Sequence, residues 1–241
     1  MTPFARIFAI DLPHGRCVGV ALPDEKDAPG VPIPEQVLAA LPEAERRHAG
    51  QVPPVRRASW VGGRIALRAA AADLGCVPGP ILTTARGAPS LPAGLRGSIS
   101  HKRSLAVGLA ALGGDHEGGG AWHLGVDVER IVAGHSGIAR YVLRPEERER
   151  LPSGDRGGRT EELLFSFSAK EAIYKALDPF LARYVSFQEV SVERRPDGSA
   201  AVTLFLRAES AGAAPPRFEV DVRWVRREDF IITTARADRA R

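Results

Sequence analysis

The stretch Phe165-Ser-Phe-Ser-Ala-Lys-Glu-Ala-Ile-Tyr-Lys-Ala-Leu177 predicts an amphipathic helix. Apolar side chains recur four residues apart on one stripe of this helix, at Phe165, Ala169, Ile173 and Leu177. A second stripe with the same spacing carries Phe167, Glu171 and Lys175. The spacing therefore predicts one helix face for a core and another that presents a carboxylate beside an ammonium group.

The lysines of this helix are informative because lysine is rare in the chain. Lysine and arginine together number 33, and the only lysines are Lys26, Lys102, Lys170 and Lys175. A surface ion pair between Glu171 and Lys175 is the simplest interpretation, but arginine, the usual cation of this chain, would serve it equally well. Lysine is a compact, titratable charge, whereas arginine is a planar fork that stays charged. The use of lysine therefore favours chemistry at a phosphate.

The composition is that of a soluble globular protein. The 241 residues are 44% hydrophobic and 26% charged, which allows one large core or two small ones. No apolar run is long enough to span a membrane, and the first residues lack a signal-peptide pattern. Cys17 and Cys76 are too few for a disulfide framework, so we expect a cytoplasmic protein. A net charge of +4 and a pI near 9.4 suit polyanionic partners such as nucleotides, nucleic acids or acidic proteins.

Hydrophobic patterns divide the chain into two halves of similar layout. The first half predicts a hairpin, a long helix and two further strands, at residues 4–11 and 16–22, 55–74, 98–102 and 104–112. Residues 113–120 are rich in glycine and predict a linker, so the expected halves are 1–114 and 121–241. The second half predicts a strand, two helices and four more strands, with the first three at 122–130, from Pro145, and at 160–177. Helices combined with antiparallel strands in each half predict an α+β fold.

Two acidic residues lie on one face of the strand predicted at 122–130. Asp127 and Glu129 are two positions apart, so both side chains leave the same face. Like charges at this spacing repel one another unless a cation lies between them. An exposed strand face and a divalent metal site both explain the pair, and oxygen ligands of this kind suit Mg²⁺.

Cationic residues recur in the first half. Arg57, Arg64 and Arg68 share one face of the predicted helix, which indicates either a solvated basic face or a phosphate site. His101 lies next to Ser100 at the end of a strand, after a loop rich in glycine and proline. A glycine-rich loop lets a ligand approach the backbone, so this position is a second candidate for an anion site.

Five short motifs lie one after another along residues 57–177. They are Arg57-x-x-Trp60-x-x-Gly63-Arg64, Gly97-Ser-Ile-Ser-His101, Leu124-Gly-Val-Asp-Val-Glu129, Pro145-x-Glu147 and Phe165-Ser-x-Ser-Ala-Lys-Glu-x-x-Tyr-Lys175. The ordered set resembles the 4′-phosphopantetheinyl transferase superfamily. Within that superfamily it is most similar to the long, Sfp-like class and to its enterobactin-synthetase-associated, EntD-like branch.

The resemblance implies a fold, a reaction and partners. The fold would consist of two similar α/β halves related by a pseudo-twofold, with the active site in the cleft between them. The reaction would move 4′-phosphopantetheine from coenzyme A to a serine of an apo acyl or peptidyl carrier protein, with Mg²⁺ as cofactor and 3′,5′-ADP as product. Such holo-[acyl-carrier-protein] synthases serve siderophore, polyketide or nonribosomal peptide biosynthesis. We therefore expect a monomeric, cytoplasmic transferase that binds neither nucleic acid nor membranes.

The resemblance also implies roles for individual residues. Asp127, Glu129 and Glu171 resemble the metal ligands of the family. Contacts with coenzyme A are implied for Arg57, Arg64, Ser100, His101, Lys170 and Lys175. The loop Arg86-Gly-Ala-Pro89 lies where the family has Gly-Lys-Pro or Gly-x-Pro, and since Ala88 carries no charge, a contact there would come from the backbone or from Arg86. Arg57 and Arg64 would lie near the adenosine 3′-phosphate, and Lys175 would neutralise or protonate the leaving phosphate. Glu147 and Glu171 are both candidates for the base that accepts the seryl proton.

Two other functions fit part of the pattern. A metal-dependent phosphodiesterase or nuclease also uses acidic residues with a lysine, but its lysine usually follows the acid by two positions, whereas Glu171 and Lys175 are four apart. Aromatic residues make up 6% of the chain, which is low for stacking on bases. A coenzyme A or carrier-protein binding module without catalysis is the second alternative. The presence of Asp127, Glu129 and both residues of the Glu171–Lys175 pair argues against it.

Overall fold

The computed structural model describes residues 2–23, 30–113, 121–132, 136–153, 156–208 and 214–240. The chain forms two compact units, Met1–His116 and Glu117–Arg241. The glycine-rich stretch predicted as their linker lies outside the described residues from position 114 to 120. The pseudo-twofold and the cleft between the halves stay predictions. No helix among the described residues is long and apolar enough to cross a membrane.

The first unit is a four-stranded antiparallel sheet with one long helix packed against it. Its elements in chain order are β1 (Arg6–Leu12), β2 (Gly15–Ala21), α1 (Glu35–Ala39), α2 (Glu43–Gln51), α3 (Pro54–Asp73), β3 (Leu95–Lys102) and β4 (Leu105–Leu112). The strand order is β1-β2-β4-β3. Helix α3 begins at a proline, which suits a first helical turn, and its apolar face contributes Val61, Leu67 and Ala70 to the core. The predicted hairpin, long helix and strand pair are confirmed.

The second unit is a five-stranded antiparallel sheet that carries helix α6 on one face. Its elements are β5 (Trp122–Arg130), α4 (Ala139–Val142), α5 (Pro145–Glu149), α6 (Arg156–Leu181), β6 (Val190–Arg194), β7 (Ser199–Leu204), β8 (Phe218–Arg227) and β9 (Phe230–Arg239), with short 3₁₀ turns at Ser136–Ile138 and Phe187–Glu189. The strand order is β5-β9-β8-β7-β6. Each unit combines helices with an antiparallel sheet, so the predicted α+β class is confirmed.

Helix α6 follows the predicted pattern but is longer than predicted. The predicted core stripe is confirmed, since Phe165, Ala169, Ile173 and Leu177 are all fully buried. The helix spans 26 residues rather than 160–177 and runs through Pro179, although an internal proline removes one backbone hydrogen bond. It ends where Ala182 adopts the left-handed conformation (φ 49°) and donates its N–H to the carbonyl of Asp178. The helix therefore ends at this cap and not at the proline.

In each unit the long helix lies directly on the backbone of one strand, and a glycine allows the contact. A Cβ atom added to Gly125 in β5 would lie 1.8 Å from the carbonyl oxygen of Ala172 in α6. A Cβ atom added to Gly108 in β4 would lie 2.2 Å from the backbone nitrogen of Leu67 in α3. Only glycine fits at such distances. The two units therefore share one packing device, and in the second unit it fixes how closely α6 approaches β5.

We predict that Gly125→Ala destabilises the protein by at least about 2 kcal/mol, because the methyl group cannot enter without moving α6 away from β5. Urea denaturation followed by circular dichroism measures the loss. Gly137→Ala is the matched control in the same unit, since a Cβ there meets no atom within 4 Å. Equal stability of the two variants would contradict the proposed close packing.

Candidate active site

An acidic pair on β5 and a lysine on α6 meet at one position in the second unit. Gly125 faces α6, and the two-residue repeat of a strand turns Asp127 and Glu129 to the same side. Both carboxylates are buried, with 5% and 4% of the residue exposed. Lys175 Nζ donates to Asp127 Oδ1 at 2.9 Å and to the carbonyl oxygen of Val126 at 2.9 Å. The side chain of Lys175 is 25% exposed, so an ammonium that water can reach covers a buried carboxylate.

The donor chemistry of this position suits a divalent cation. Asp127 Oδ2 and Glu129 Oε2 accept no hydrogen bond from the described residues, and both residues make further interactions. Two buried carboxylates of like charge favour a cation beside them. Mg²⁺ usually takes one or two carboxylates and completes its shell with water and substrate phosphate. The residues present therefore fit this ion.

Glu171 was predicted as the third metal ligand. It is half-buried on α6, one helical turn before Lys175. Among the described residues, no group of three or more His, Cys, Asp or Glu side chains is arranged to hold a metal ion. The predicted set of Asp127, Glu129 and Glu171 therefore stays a prediction, although Asp127 and Glu129 share one strand face.

Lys170 points away from this position into the core of the second unit. Its Nζ donates to the carbonyl oxygen of Val142 at 2.8 Å, to Glu147 Oε2 at 2.6 Å and to the carbonyl oxygen of Phe187 at 3.1 Å. An ammonium group has three protons, so each of them has an acceptor. Lys170 is only 2% exposed. Burial lowers the pKa of Lys170, and the adjacent Glu147 carboxylate opposes that effect.

Glu147 is buried at the other end of this ion pair. Besides the Lys170 ammonium, its Oε2 accepts the backbone N–H of Arg144 at 2.7 Å at the start of α5. Its Oε1 accepts the backbone N–H of Val192 in β6 at 2.7 Å. The pair therefore joins α6, the end of α4, the first turn of α5, the 3₁₀ turn at Phe187–Glu189 and strand β6.

These contacts bear on two predicted roles. The family resemblance implies that Lys170 contacts coenzyme A, and Glu147 is one of the two candidate bases. In the structure the two side chains are buried and bonded to each other, so their contacts support a structural role. Glu171 lies on the same helix stripe as Lys175 and is half-buried, and its role as the base stays a prediction.

The predicted phosphate arginines of the first unit bind their own chain. Arg57 Nη2 lies 3.2 Å from the carbonyl oxygens of Gly50 and Val52, at the end of α2. Arg64 is buried, stacks on the Trp60 ring at 4.0 Å, and donates to Thr83 Oγ1 at 2.8 Å. Burial lowers the pKa of Arg64 to about 10. Arg64 is therefore not part of a solvated basic face, which was one of the two interpretations of the sequence. The predicted contacts of Arg57 and Arg64 with a 3′-phosphate stay predictions.

The remaining predicted coenzyme A residues lie on the sheet edge and a loop of the first unit. Ser100 is buried on β3, His101 is exposed beside it, and Arg86 is exposed in the turn that follows Thr83. All three predicted residues make further interactions within the protein. Their roles stay predictions, and the exposure of Arg86 and His101 is compatible with them.

The sequence analysis assigns no role to two residues of this region. Gly125 sets the distance between β5 and α6, and its signal is a glycine inside a strand otherwise rich in valine. Tyr184 is exposed, and its ring packs edge-on against Tyr174 with centroids 5.5 Å apart. Partial burial and the nearby charge of Glu171 raise the pKa of Tyr184. No local pattern indicates Tyr184, because its proximity to Glu171 arises from the turn after α6.

Comparison with protein families gives two matches that together cover most of the chain. Residues 44–111 match the model described as the 4′-phosphopantetheinyl transferase N-terminal domain. Residues 123–235 match the model described as the 4′-phosphopantetheinyl transferase superfamily.

Similar proteins carry the same description. The 4′-phosphopantetheinyl transferase Npt of Nocardia iowensis is 33% identical over 186 residues, which cover 74% of this chain and 81% of Npt. The 4′-phosphopantetheinyl transferase Svp of Streptomyces mobaraensis is 31% identical over 206 residues, which cover 83% of this chain and 80% of Svp. Among solved structures, the Chronobacterium ammoniagenes ACPS–CoA complex is 24% identical, covers 50% of this chain and 99% of its own, and has a TM-score of 0.39.

The structure predicts different costs for replacing the two lysines of α6. Lys170→Met removes one member of a buried ion pair and is expected to cost about 3–5 kcal/mol of unfolding free energy. Lys175→Met should cost less, because the side chain of Lys175 is 25% exposed and its ion pair with Asp127 is less buried than that of Lys170 with Glu147. Urea denaturation of both variants measures the difference.

The double variant Lys170→Met/Glu147→Gln completes this test. It removes the uncompensated buried charge, so we expect it to be more stable than Lys170→Met alone. Equal costs for the two single lysine variants, or strict additivity in the double variant, would contradict the assigned pairing.

Proposed function

The chain belongs to the 4′-phosphopantetheinyl transferase superfamily, and from that premise we propose that it transfers 4′-phosphopantetheine from coenzyme A to a serine of an apo carrier protein. The predictions of this superfamily and of a transferase are confirmed. The enterobactin-synthetase-associated branch stays a prediction, as does the pathway that the carrier protein serves.

One observation in the second unit carries the proposal for the reacting phosphates. The partly exposed ammonium of Lys175 is bonded to the buried carboxylate of Asp127, and Glu129 lies on the same strand face. A pyrophosphate is a polyanion that needs cationic neutralisation, and a lysine anchored on a buried carboxylate offers a fixed positive charge for it. We therefore propose that the pyrophosphate of coenzyme A binds at Lys175.

The same carboxylates are the proposed ligands of the metal cofactor. Asp127 and Glu129, with Glu171 from α6, would hold Mg²⁺. When bound, this ion supplies positive charge that stabilises the negative charge developing on the transferred phosphoryl group. Support comes from the donor chemistry and burial of the two strand carboxylates.

The proposed transfer reaction gives roles to two residues of this chain, one in accepting a proton and one in neutralising charge. The seryl oxygen of the carrier protein attacks the phosphorus that bears pantetheine, and the bond from that phosphorus to the bridging oxygen breaks, which releases 3′,5′-ADP. We propose that Glu171 accepts the seryl proton, because Glu147 is already bonded to Lys170, Arg144 and Val192. Lys175 neutralises the charge that builds up on the departing phosphate.

For the adenosine end of coenzyme A, we propose contacts in the first unit. The turn at residues 84–89, which carries Arg86, and the end of strand β3 with Ser100 and His101 are the proposed elements. Support comes from the family match over residues 44–111 and from the exposure of Arg86 and His101. The contacts of Arg57 and Arg64 with the 3′-phosphate stay predictions. In the structure the guanidinium groups of both residues bind acceptors within the first unit.

Incubation with coenzyme A, Mg²⁺ and an apo carrier protein, followed by intact-protein mass measurement, tests the proposed function. We predict that the carrier protein gains the mass of phosphopantetheine and that a chelator abolishes the gain. Asp127→Ala and Glu171→Ala should fold but give no detectable transfer. Glu193→Gln, an exposed carboxylate of the same unit, is the control and should retain full activity.

Three results would contradict the proposal in different ways. Normal transfer by Asp127→Ala or Glu171→Ala would exclude the proposed metal ligands. Binding of coenzyme A and carrier protein without transfer would indicate a binding module. Cleavage of DNA or RNA in place of transfer would indicate a phosphodiesterase.

A further inference from the structure

The first unit contains a fully buried carboxylate that none of the sequence motifs includes. Glu45 lies on α2 and is 0% exposed. Its Oε1 accepts the backbone N–H of Ile81 at 2.6 Å and Arg68 Nη1 at 2.9 Å. A buried charged group is costly unless it is paired and hydrogen-bonded. The structure therefore retains Glu45 at a position where an apolar residue would ordinarily pack.

Glu45 is one member of a set of side chains that hold residues 78–83. This segment lies outside the helices and strands of the unit, so side chains make many of its hydrogen bonds. Arg68 donates to the carbonyl oxygens of Pro78 and Gly79, both at 2.9 Å. Arg64 donates to the carbonyl oxygen of Ile81 at 3.3 Å and to the hydroxyl of Thr83. We call Glu45, Arg64 and Arg68 the charged clamp.

The negative charge of Glu45 compensates the positive charges of the clamp. Arg68 forms an ion pair with Glu45, and the buried Arg64 interacts electrostatically with the same carboxylate. Without Glu45, Arg64 and Arg68, which are one helical turn apart on α3, would lose the negative charge that compensates them. The clamp therefore depends on Glu45 for its charge balance as well as for the anchor at Ile81.

The clamped segment continues directly into the turn at residues 84–89. Thr83 pairs with Pro89 in an isolated β-bridge that closes the base of this turn. Thr83 Oγ1 accepts hydrogen bonds from Trp60 Nε1 at 3.1 Å and from Arg64. Within the turn, Gly87 has φ 89° and donates to the carbonyl of Thr84 at 2.9 Å. The clamp therefore fixes the base from which this turn projects.

We propose that Glu45 is a positioning residue for coenzyme A. Through Arg64, Arg68 and the Ile81 backbone, it holds the turn at residues 84–89 in the conformation that receives the phosphorylated adenosine end of the coenzyme. The proposal rests on the proposed function. It assigns the charged clamp a role in binding coenzyme A and none in the transfer step or in binding the carrier protein.

Glu45→Met tests the proposal, because it removes the charge and the acceptor while keeping a similar side-chain length. We expect it to raise the KM for coenzyme A and the Kd for 3′,5′-ADP about tenfold, the effect of roughly one buried hydrogen bond. The kcat and the KM for the carrier protein should not change. Glu45→Gln keeps an oxygen for Ile81 and Arg68 and should give a smaller increase.

Asp73→Leu is the matched control. Asp73 lies on α3 of the same unit and accepts hydrogen bonds from Arg6 and Arg16, so its loss also frees two arginines from a carboxylate. It lies outside the clamp, and we expect its kinetic constants to equal those of the wild type. Thr83→Val serves as the second test variant, because it removes the hydroxyl at the base of the turn without burying a charge. It should raise the same KM selectively.

Limited trypsin digestion adds a measurement that does not depend on activity. Loosening of the clamp should speed cleavage after Arg86 in Glu45→Met and Thr83→Val, but not in Asp73→Leu. The proposal is overturned if both test variants bind 3′,5′-ADP like the wild type, or if they lower kcat and raise both KM values together. Absence of transfer by the wild type would instead contradict the proposed function.

Discussion

The close contact between strand β5 and helix α6 at Gly125 is the constraint on which the candidate site depends. The carbonyl oxygen of Ala172 occupies the space that any side chain at Gly125 would need. This contact lets Lys175, one turn after Glu171, bond to Asp127 across the two elements. With a larger residue at Gly125, the acidic strand face and the cationic helix face would be further apart, and the same residues would no longer form one site.

The two lysines of α6 illustrate how position separates two uses of one side chain. Lys170 is buried and donates three hydrogen bonds to acceptors within the unit, so it fixes how α6 packs against the neighbouring elements. Lys175 is partly exposed and rests on one buried carboxylate. An ammonium group that is partly exposed to water can add a contact with a polyanion while it stays bonded to Asp127. The Lys170 ammonium cannot, because it is buried and all three of its N–H groups already have acceptors.

Local patterns were sufficient to predict the elements and the acidic strand face. The spacing of four residues between apolar side chains from Phe165 to Leu177 predicts the buried stripe of α6. The alternation of valines with acidic residues around Asp127 predicts β5. Both signals lie within a few residues of the chain. The direction of Lys170 and the burial of Glu45 depend on residues tens of positions away, such as Val142 or Ile81. The arginines of α3 show the same limit, since spacing indicates a shared face but not what that face contacts.

We propose that the coenzyme A phosphates and Mg²⁺ meet at Asp127 and Lys175. Isothermal titration of coenzyme A into the wild type and into Asp127→Asn, each with and without Mg²⁺, tests this arrangement. We expect Mg²⁺ to tighten coenzyme A binding to the wild type and to have no such effect on a folded Asp127→Asn variant. An equal tightening in both proteins would contradict it.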